Sequence, residues 1–175
     1  MTAERCRLFF ALWPDSTLQL WCADWVKQTL AQHHGRPVPA VNLHITLAFV
    51  GDVERERHAG IEAVAGGVEG SAFTLSLDRL GYWRRPQVIW LGASDTPPAL
   101  EAMVKRLRKG LKGCDIEIDS RPFNAHMTVM RKVKQRPVGI VLPTVAWPVN
   151  DFVLVSSQLR PEGACYRVLK RWPLR

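Results

Sequence analysis

Residues 43–50 read LHITLAFV and residues 125–131 read AHMTVMR. Each stretch sets a His-x-Thr triplet among alternating apolar residues, and in an extended strand side chains alternate between two faces. Leu43, Ile45, Leu47 and Phe49 therefore point toward a core, and His44 and Thr46 share the opposite face. In the second stretch Ala125, Met127 and Val129 point inward while His126 and Thr128 point the other way. With 5 His and 8 Thr in 175 residues, chance supplies only about 0.2 such triplets. Two of them, 82 residues apart (from 44 to 126), lie near the middle of each half of the chain and mark a duplicated element. A strand holds the His and Thr of one triplet about 6.7 Å apart on a rigid backbone.

Two such halves packed about a pseudo-two-fold axis set His44 opposite His126 across a cleft. In-line displacement at phosphorus needs that arrangement, because the nucleophile enters on one side and the leaving oxygen departs on the other. One group must take a proton and the other give one, and histidine suits both tasks near neutral pH. The hydroxyls of Thr46 and Thr128 can donate to the non-bridging phosphate oxygens. Both triplets lie in acid-free segments: residues 25–51 and 121–150 contain no Asp or Glu, and the second holds Arg121, Arg131, Lys132, Lys134 and Arg136. Two histidines without a nearby carboxylate or cysteine make a poor metal site, so no metal and no cofactor are expected.

Outward from the triplets, residues 5–13 (RCRLFFALW) read as a mostly buried strand stopped by Pro14 and Asp15. Ser16 with Gln19 resembles a capping box opening a helix over about 16–32, with Leu18, Trp21, Cys22, Trp25 and Val26 as its apolar stripe. A short helix falls within 54–66. Further strands are expected over 72–80, broken by Gly81, and over 87–92 and 115–119. The last two are expected over 152–159 and 165–172, with a turn at Pro161-Glu162-Gly163. Thr96 before Pro97 signals a helix running to about 112, basic on its outer side. Connections this short favour antiparallel pairing, and no linker interrupts the pattern. The expectation is one α+β domain over residues 1–175, bilobal, with two mostly antiparallel sheets flanked by helices around a central cleft.

Composition bounds the partners. The net charge of +8 favours anionic ligands such as nucleic acid or nucleotides. No apolar run reaches the roughly 20 residues needed to cross a bilayer. The opening MTAERCR lacks the features of a signal peptide, and the 4 cysteines form no C-x-x-C, so a cytoplasmic protein with reduced, mostly buried cysteines is expected. Among aromatics, Phe10 and Phe49 are candidates to stack on a nucleobase. Alternation assigns Phe49 to the core, which leaves Phe10, with Tyr82 and Trp83 as a second platform on the cleft rim.

RLFFALWP, LHITLAFVGDV, FNAHMTVMRKV and the closing FVLVSSQL and YRVLKRWPL together resemble the bacterial RNA 2′,3′-cyclic phosphodiesterases, the 2′-5′ RNA ligase family of the 2H phosphoesterase superfamily. The likeness runs from Arg5 to Leu174. It implies a bilobal fold and metal-independent hydrolysis of RNA 2′,3′-cyclic phosphate ends to 2′-phosphomonoesters. It also implies that His44 and His126 are the acid–base pair, that Thr46 and Thr128 bind phosphate, and that Arg131 adds a charge-assisted contact. The protein is expected to be a monomer. His126 is assigned to activate water and His44 to protonate the departing O3′. The rival readings are a related activity on a small cyclic nucleotide, RNA ligation by the reverse route, and a non-catalytic RNA-binding module.

Overall fold

The structure, a computed structural model, describes residues 5–161 and 163–175. Met1–Glu4, and Glu162 of the expected turn, lie outside the described residues. Strand β1 (Arg5–Leu12) leads into helix α1 (Ser16–Thr29), and a two-residue strand β2 (Arg36–Pro37) precedes β3 (Ile45–Glu54). Helix α2 (His58–Gly66) is followed by β4 (Phe73–Leu77), β5 (Arg79–Trp83) and β6 (Val88–Gly92). Helix α3 (Pro98–Gly113) then leads to β7 (His126–Arg131), β8 (Val145–Val149), β9 (Asp151–Arg160) and β10 (Gly163–Pro173).

Among the described residues there are two sheets, and every pairing is antiparallel. Eight strands form the larger, in the order β10-β9-β1-β3-β7-β6-β5 with β2 also on β7; β4 and β8 form the smaller. The larger sheet consists of two four-stranded halves, β10-β9-β1-β3 and β2-β7-β6-β5. Among the described residues the halves are joined in register at one position, Ile45 opposite Met127. The helices cross this joint. Helix α1 follows β1 of the first half but packs on β7 and β2 of the second, whereas α3 follows β6 of the second half and packs on β3 of the first.

Amphipathic pattern explains these placements. Leu100, Met103, Val104, Leu107 and Leu111 form the buried stripe of α3, facing Leu8, Phe10, Leu12, Ile45 and Leu47 in the main core. On the opposite sheet face a smaller cluster gathers Phe9, Ala11, Val153 and Val155 beneath Trp13, Tyr166 and Val168. Helix α1 is capped by Asp15, whose side chain accepts from the Leu18 amide at 2.8 Å. The expected capping box is therefore absent. Gln19 instead turns inward and donates to the Leu43 carbonyl at 3.3 Å, tying α1 to the residue before His44.

Four expectations change. The segment 72–80 is two strands, β4 and β5, separated at Asp78, whose carboxylate accepts from both the amide and the hydroxyl of Ser94. Gly81 lies inside β5 and does not break it; a Cβ there would come within 2.0 Å of the Trp90 ring, so glycine makes room for that indole. Residues 115–119 form no strand. Of the four free cysteines only Cys22 is fully buried, and Cys165 is exposed.

Both triplet strands carry an irregularity three residues after the histidine. Phe10 pairs with Ala48 and Ala11 with Thr46, so Leu47 is skipped. Ile89 pairs with Met130 and Trp90 with Thr128, so Val129 is skipped. An extra residue in one strand reverses the facing of all that follow it. Ala48 and Val50, and Met130 likewise, join the main core, while Phe49 and Arg131 turn to the histidine side and are exposed. No helix among the described residues is long and apolar enough to cross a membrane.

Candidate active site

The pairing of Ile45 with Met127 decides the site. An antiparallel pair has a local two-fold axis between its members. That axis relates His44-Ile45-Thr46 to His126-Met127-Thr128. Counting outward from the pair, the position opposite His44 is Thr128 and that opposite His126 is Thr46. Both rings lie on the sheet face away from the main core, His44 beside Phe9 and His126 beside Trp83.

Each ring is held by the backbone just before it. His44 Nδ1 lies 2.7 Å from the Asn42 carbonyl oxygen, and His126 Nδ1 lies 2.8 Å from that of Asn124. A carbonyl oxygen only accepts, so Nδ1 carries the proton in both rings and Nε2 is left for chemistry. A neutral ring therefore offers a base at Nε2, and a charged ring offers a proton there. The repeat is wider than His-x-Thr: both copies read Asn-x-His-x-Thr. Asn42 further donates its side-chain amide to the Ala164 carbonyl at 3.1 Å, which anchors the segment to β10.

Aromatic rings enclose both histidines. Trp13 stacks on His44 with centroids 5.2 Å apart and planes 6° from parallel. Phe9 lies 5.0 Å away, and Tyr166 meets the imidazole edge-on at 5.2 Å. Around His126, Trp83 packs at 4.5 Å and Trp90 at 6.3 Å, both edge-on. Burial disfavours a charged ring. It pushes the His44 pKa down from 6.5 to about 4, against the opposing Asn42 hydrogen bond and with the charges of Arg131 and His126 adding to the effect. The His126 pKa is also lowered, first by burial and then by Arg131, with the Asn124 bond opposing. Arg131 therefore acts on both rings, and no carboxylate is among the groups that shift them.

The structure brings His44, Thr46, His126, Thr128 and Arg131 to one face, and it removes Phe10. That ring has 0% exposure and packs on the core side against Phe152 and Trp172. Its neighbour Phe9 faces the histidines, as alternation along β1 requires. Phe49, assigned to the core from its spacing, is 61% exposed and lies 6.1 Å from Phe9. Of the expected rim pair, Trp83 touches His126, whereas Tyr82 donates its hydroxyl to the Val133 carbonyl at 2.9 Å. Trp13 and Tyr166 join the site without a signal in the triplets themselves; Trp13 continues the Phe9–Ala11 face of β1, and that alternation is the signal which finds it. Among the described residues no three His, Cys, Asp or Glu side chains gather as metal ligands would. What gathers is two proton-transfer groups, two hydroxyls and a guanidinium, a set suited to an anion that must exchange protons on opposite sides.

Comparison with known proteins agrees in kind. Residues 14–160 match the family model described as the 2′-5′ RNA ligase superfamily. The chain is 34% identical to the RNA 2′,3′-cyclic phosphodiesterase of Escherichia coli over 98% of each chain. It is 27% identical to the protein of that name from Thermus thermophilus, over 97% of this chain and 90% of the other. Among solved structures, that of E. coli LigT complexed with 3′-AMP superposes with a TM-score of 0.88 at 32% identity, covering 98% of this chain and 99% of that one.

A ring kept neutral by burial weakens the fold in acid. The unfolded chain protonates His44 near 6.5 and the folded chain only near 4. Between those values the unfolded state binds more protons, so stability rises with pH. The contribution is fully present above pH 6.5 and is lost as pH falls toward 4. At about 1.4 kcal/mol per unit, the unsubstituted protein should lose about 2 kcal/mol more than His44→Gln between pH 7 and pH 5. Urea unfolding at the two pH values measures this, and equal losses would show that burial does not hold His44 neutral.

Proposed function

Since the chain belongs to the 2′-5′ RNA ligase superfamily, we propose that its paired histidines hydrolyse RNA 2′,3′-cyclic phosphate ends to 2′-phosphomonoesters. The observation that carries this reading is the two-fold pairing of Ile45 with Met127, which turns both rings, Nε2 free, onto one sheet face. The substrate is a cyclic phosphodiester anion. Water attacks phosphorus, the P–O3′ bond breaks, and the product keeps its phosphate on O2′ with a free 3′-hydroxyl.

In this scheme His126 Nε2 takes the proton of the attacking water and His44 Nε2 gives one to O3′. The aromatic enclosure of His44 supports that division. A phosphate anion draws a proton onto the ring, and surroundings that disfavour the charge make the imidazolium a ready donor. Thr46 and Thr128 donate to the non-bridging oxygens, where negative charge grows in the transition state. Arg131 adds a charge-assisted contact. Phe49 offers an aromatic face beyond Phe9 for the nucleobase. A 5′-hydroxyl taking the place of water runs the same steps toward ligation. The chemistry needs no metal, since protons and charge are handled by side chains already in place.

Both triplets come from one chain, so the site is complete in a monomer, and we read residues 1–175 as a single domain. The four cysteines are all free, as a reducing cytoplasm keeps them.

Incubation with an oligonucleotide ending in a 2′,3′-cyclic phosphate tests the central reading. Turnover to the 2′-phosphate should persist in strong chelator and fall by at least about a hundred-fold in His44→Ala and His126→Ala. A 3′-phosphate product, or full activity in either variant, would overturn the scheme. Since both pKa values lie below 6.5 in the free protein, kcat/KM should be bell-shaped with its maximum below pH 6.5. The kcat maximum should lie higher, because bound phosphate favours the imidazolium. A monotonic rise with pH would instead indicate hydroxide attack without a histidine acid. Phe49→Ala should raise KM for a nucleoside 2′,3′-cyclic phosphate about ten-fold, in line with one lost base stack, and leave glycerol 1,2-cyclic phosphate unaffected. Equal effects on the two substrates would remove Phe49 from base binding.

A further inference from the structure

The bulge at Leu47 leaves its carbonyl outside the β1–β3 ladder, and a buried backbone acceptor needs a donor. The matching carbonyl in the other half, that of Val129, is satisfied by the Val38 amide at 2.9 Å, next to the β2–β7 pairing. Among the described residues no strand occupies the equivalent position beside Leu47. Arg108 of α3 fills it: its Nε donates to the Leu47 oxygen at 3.3 Å. The same guanidinium donates from Nη1 to the Arg121 carbonyl at 3.1 Å and lies 5.6 Å over the Phe123 ring. Arg121 and Phe123 belong to the loop that runs into His126.

We infer that Arg108 is a positioning residue for the two-histidine reaction. A single planar group fixes the backbone just past Thr46 and the approach to His126, and so sets one triplet against the other. Among the described residues the in-register joint between the halves is one residue pair, which leaves their relative tilt to be set by ties of this kind. The guanidinium is suited to this because its donors fan out in a rigid plane and reach two acceptors at once; a lysine ammonium presents a point charge on a flexible stem. Displacement of about 1 Å at reacting groups costs on the order of a hundred-fold in rate, so a tie remote from the substrate has kinetic consequences. The inference rests on the hydrolase reading above.

The test is steady-state hydrolysis of a nucleoside 2′,3′-cyclic phosphate by the full chain, with rates counted per folded molecule from circular dichroism. Arg108→Met keeps the packing of the stem and loses the donors. It should lower kcat at least ten-fold with KM within two-fold of the unsubstituted value, because Arg108 does not touch substrate. Arg108→Lys, which keeps the charge and one donor group, should recover part of that loss. Unchanged kcat in Arg108→Met, or a raised KM with kcat intact, would overturn the assignment. If Arg108→Met does not fold, Arg108→Lys is judged by the same division between kcat and KM. An unsubstituted protein with no turnover would overturn the hydrolase reading, and this inference with it.

Discussion

Two strands that run antiparallel carry two-fold symmetry between them without any help from sequence identity. Here that property is used at a single place, where Ile45 meets Met127. Because the pair sits at the centre of both triplets, whatever the first triplet presents to the site, the second presents again, rotated by half a turn. A phosphorus atom undergoing in-line displacement has the same demand: an entering and a leaving group on opposite sides, each with its own proton partner. On the proposed mechanism, backbone symmetry matches reaction symmetry, and two similar elements suffice. It also explains why each histidine is braced alike, by a carbonyl two residues before it.

The symmetry is broken where the chemistry is not symmetric. Each triplet strand is bulged at the third residue past its histidine, and each bulge turns the fifth residue to the site. In one half that residue is Phe49 and in the other Arg131. One end of the face therefore presents an apolar ring and the other a positive charge, the two features the proposed substrate would meet as base and phosphate. The rings around the histidines differ too. His44 has a stacked indole and two further aromatic neighbours, whereas His126 meets its tryptophans edge-on. Similar backbones thus set two imidazoles in unlike surroundings, and unlike surroundings are what separate the roles of an acid and a base.

Much of this was legible in the sequence. The triplets, the amphipathic stripe of α3 and the strands at both ends of the chain follow from spacing alone, and the family likeness rests on residues that recur at matched intervals. What spacing missed were decisions taken by partners. A bulge is set by which residues a neighbouring strand accepts, so alternation counted from His44 placed Phe49 inside and led to Phe10 as the base platform. The two short strands β2 and β8 exist because β7 and β4 offer them edges, not because two or five residues prefer extension by themselves. Residues 115–119 alternate as a strand should, yet no neighbour pairs with them. Asn42 and Asn124 are the contrary case, an echo present in the sequence whose meaning lies in the carbonyls they carry.

The exchange of helices across the joint has a consequence for how the chain divides. Helix α1, which grows from the first half, covers the underside of the second, and α3 does the reverse. The halves also interleave along the chain, since β9 and β10 return to β1 after β7 is complete, so neither half keeps both its strands and its covering helix on a single fragment. Two pieces alike enough to descend from one ancestor have become interdependent, each wearing the other's coat.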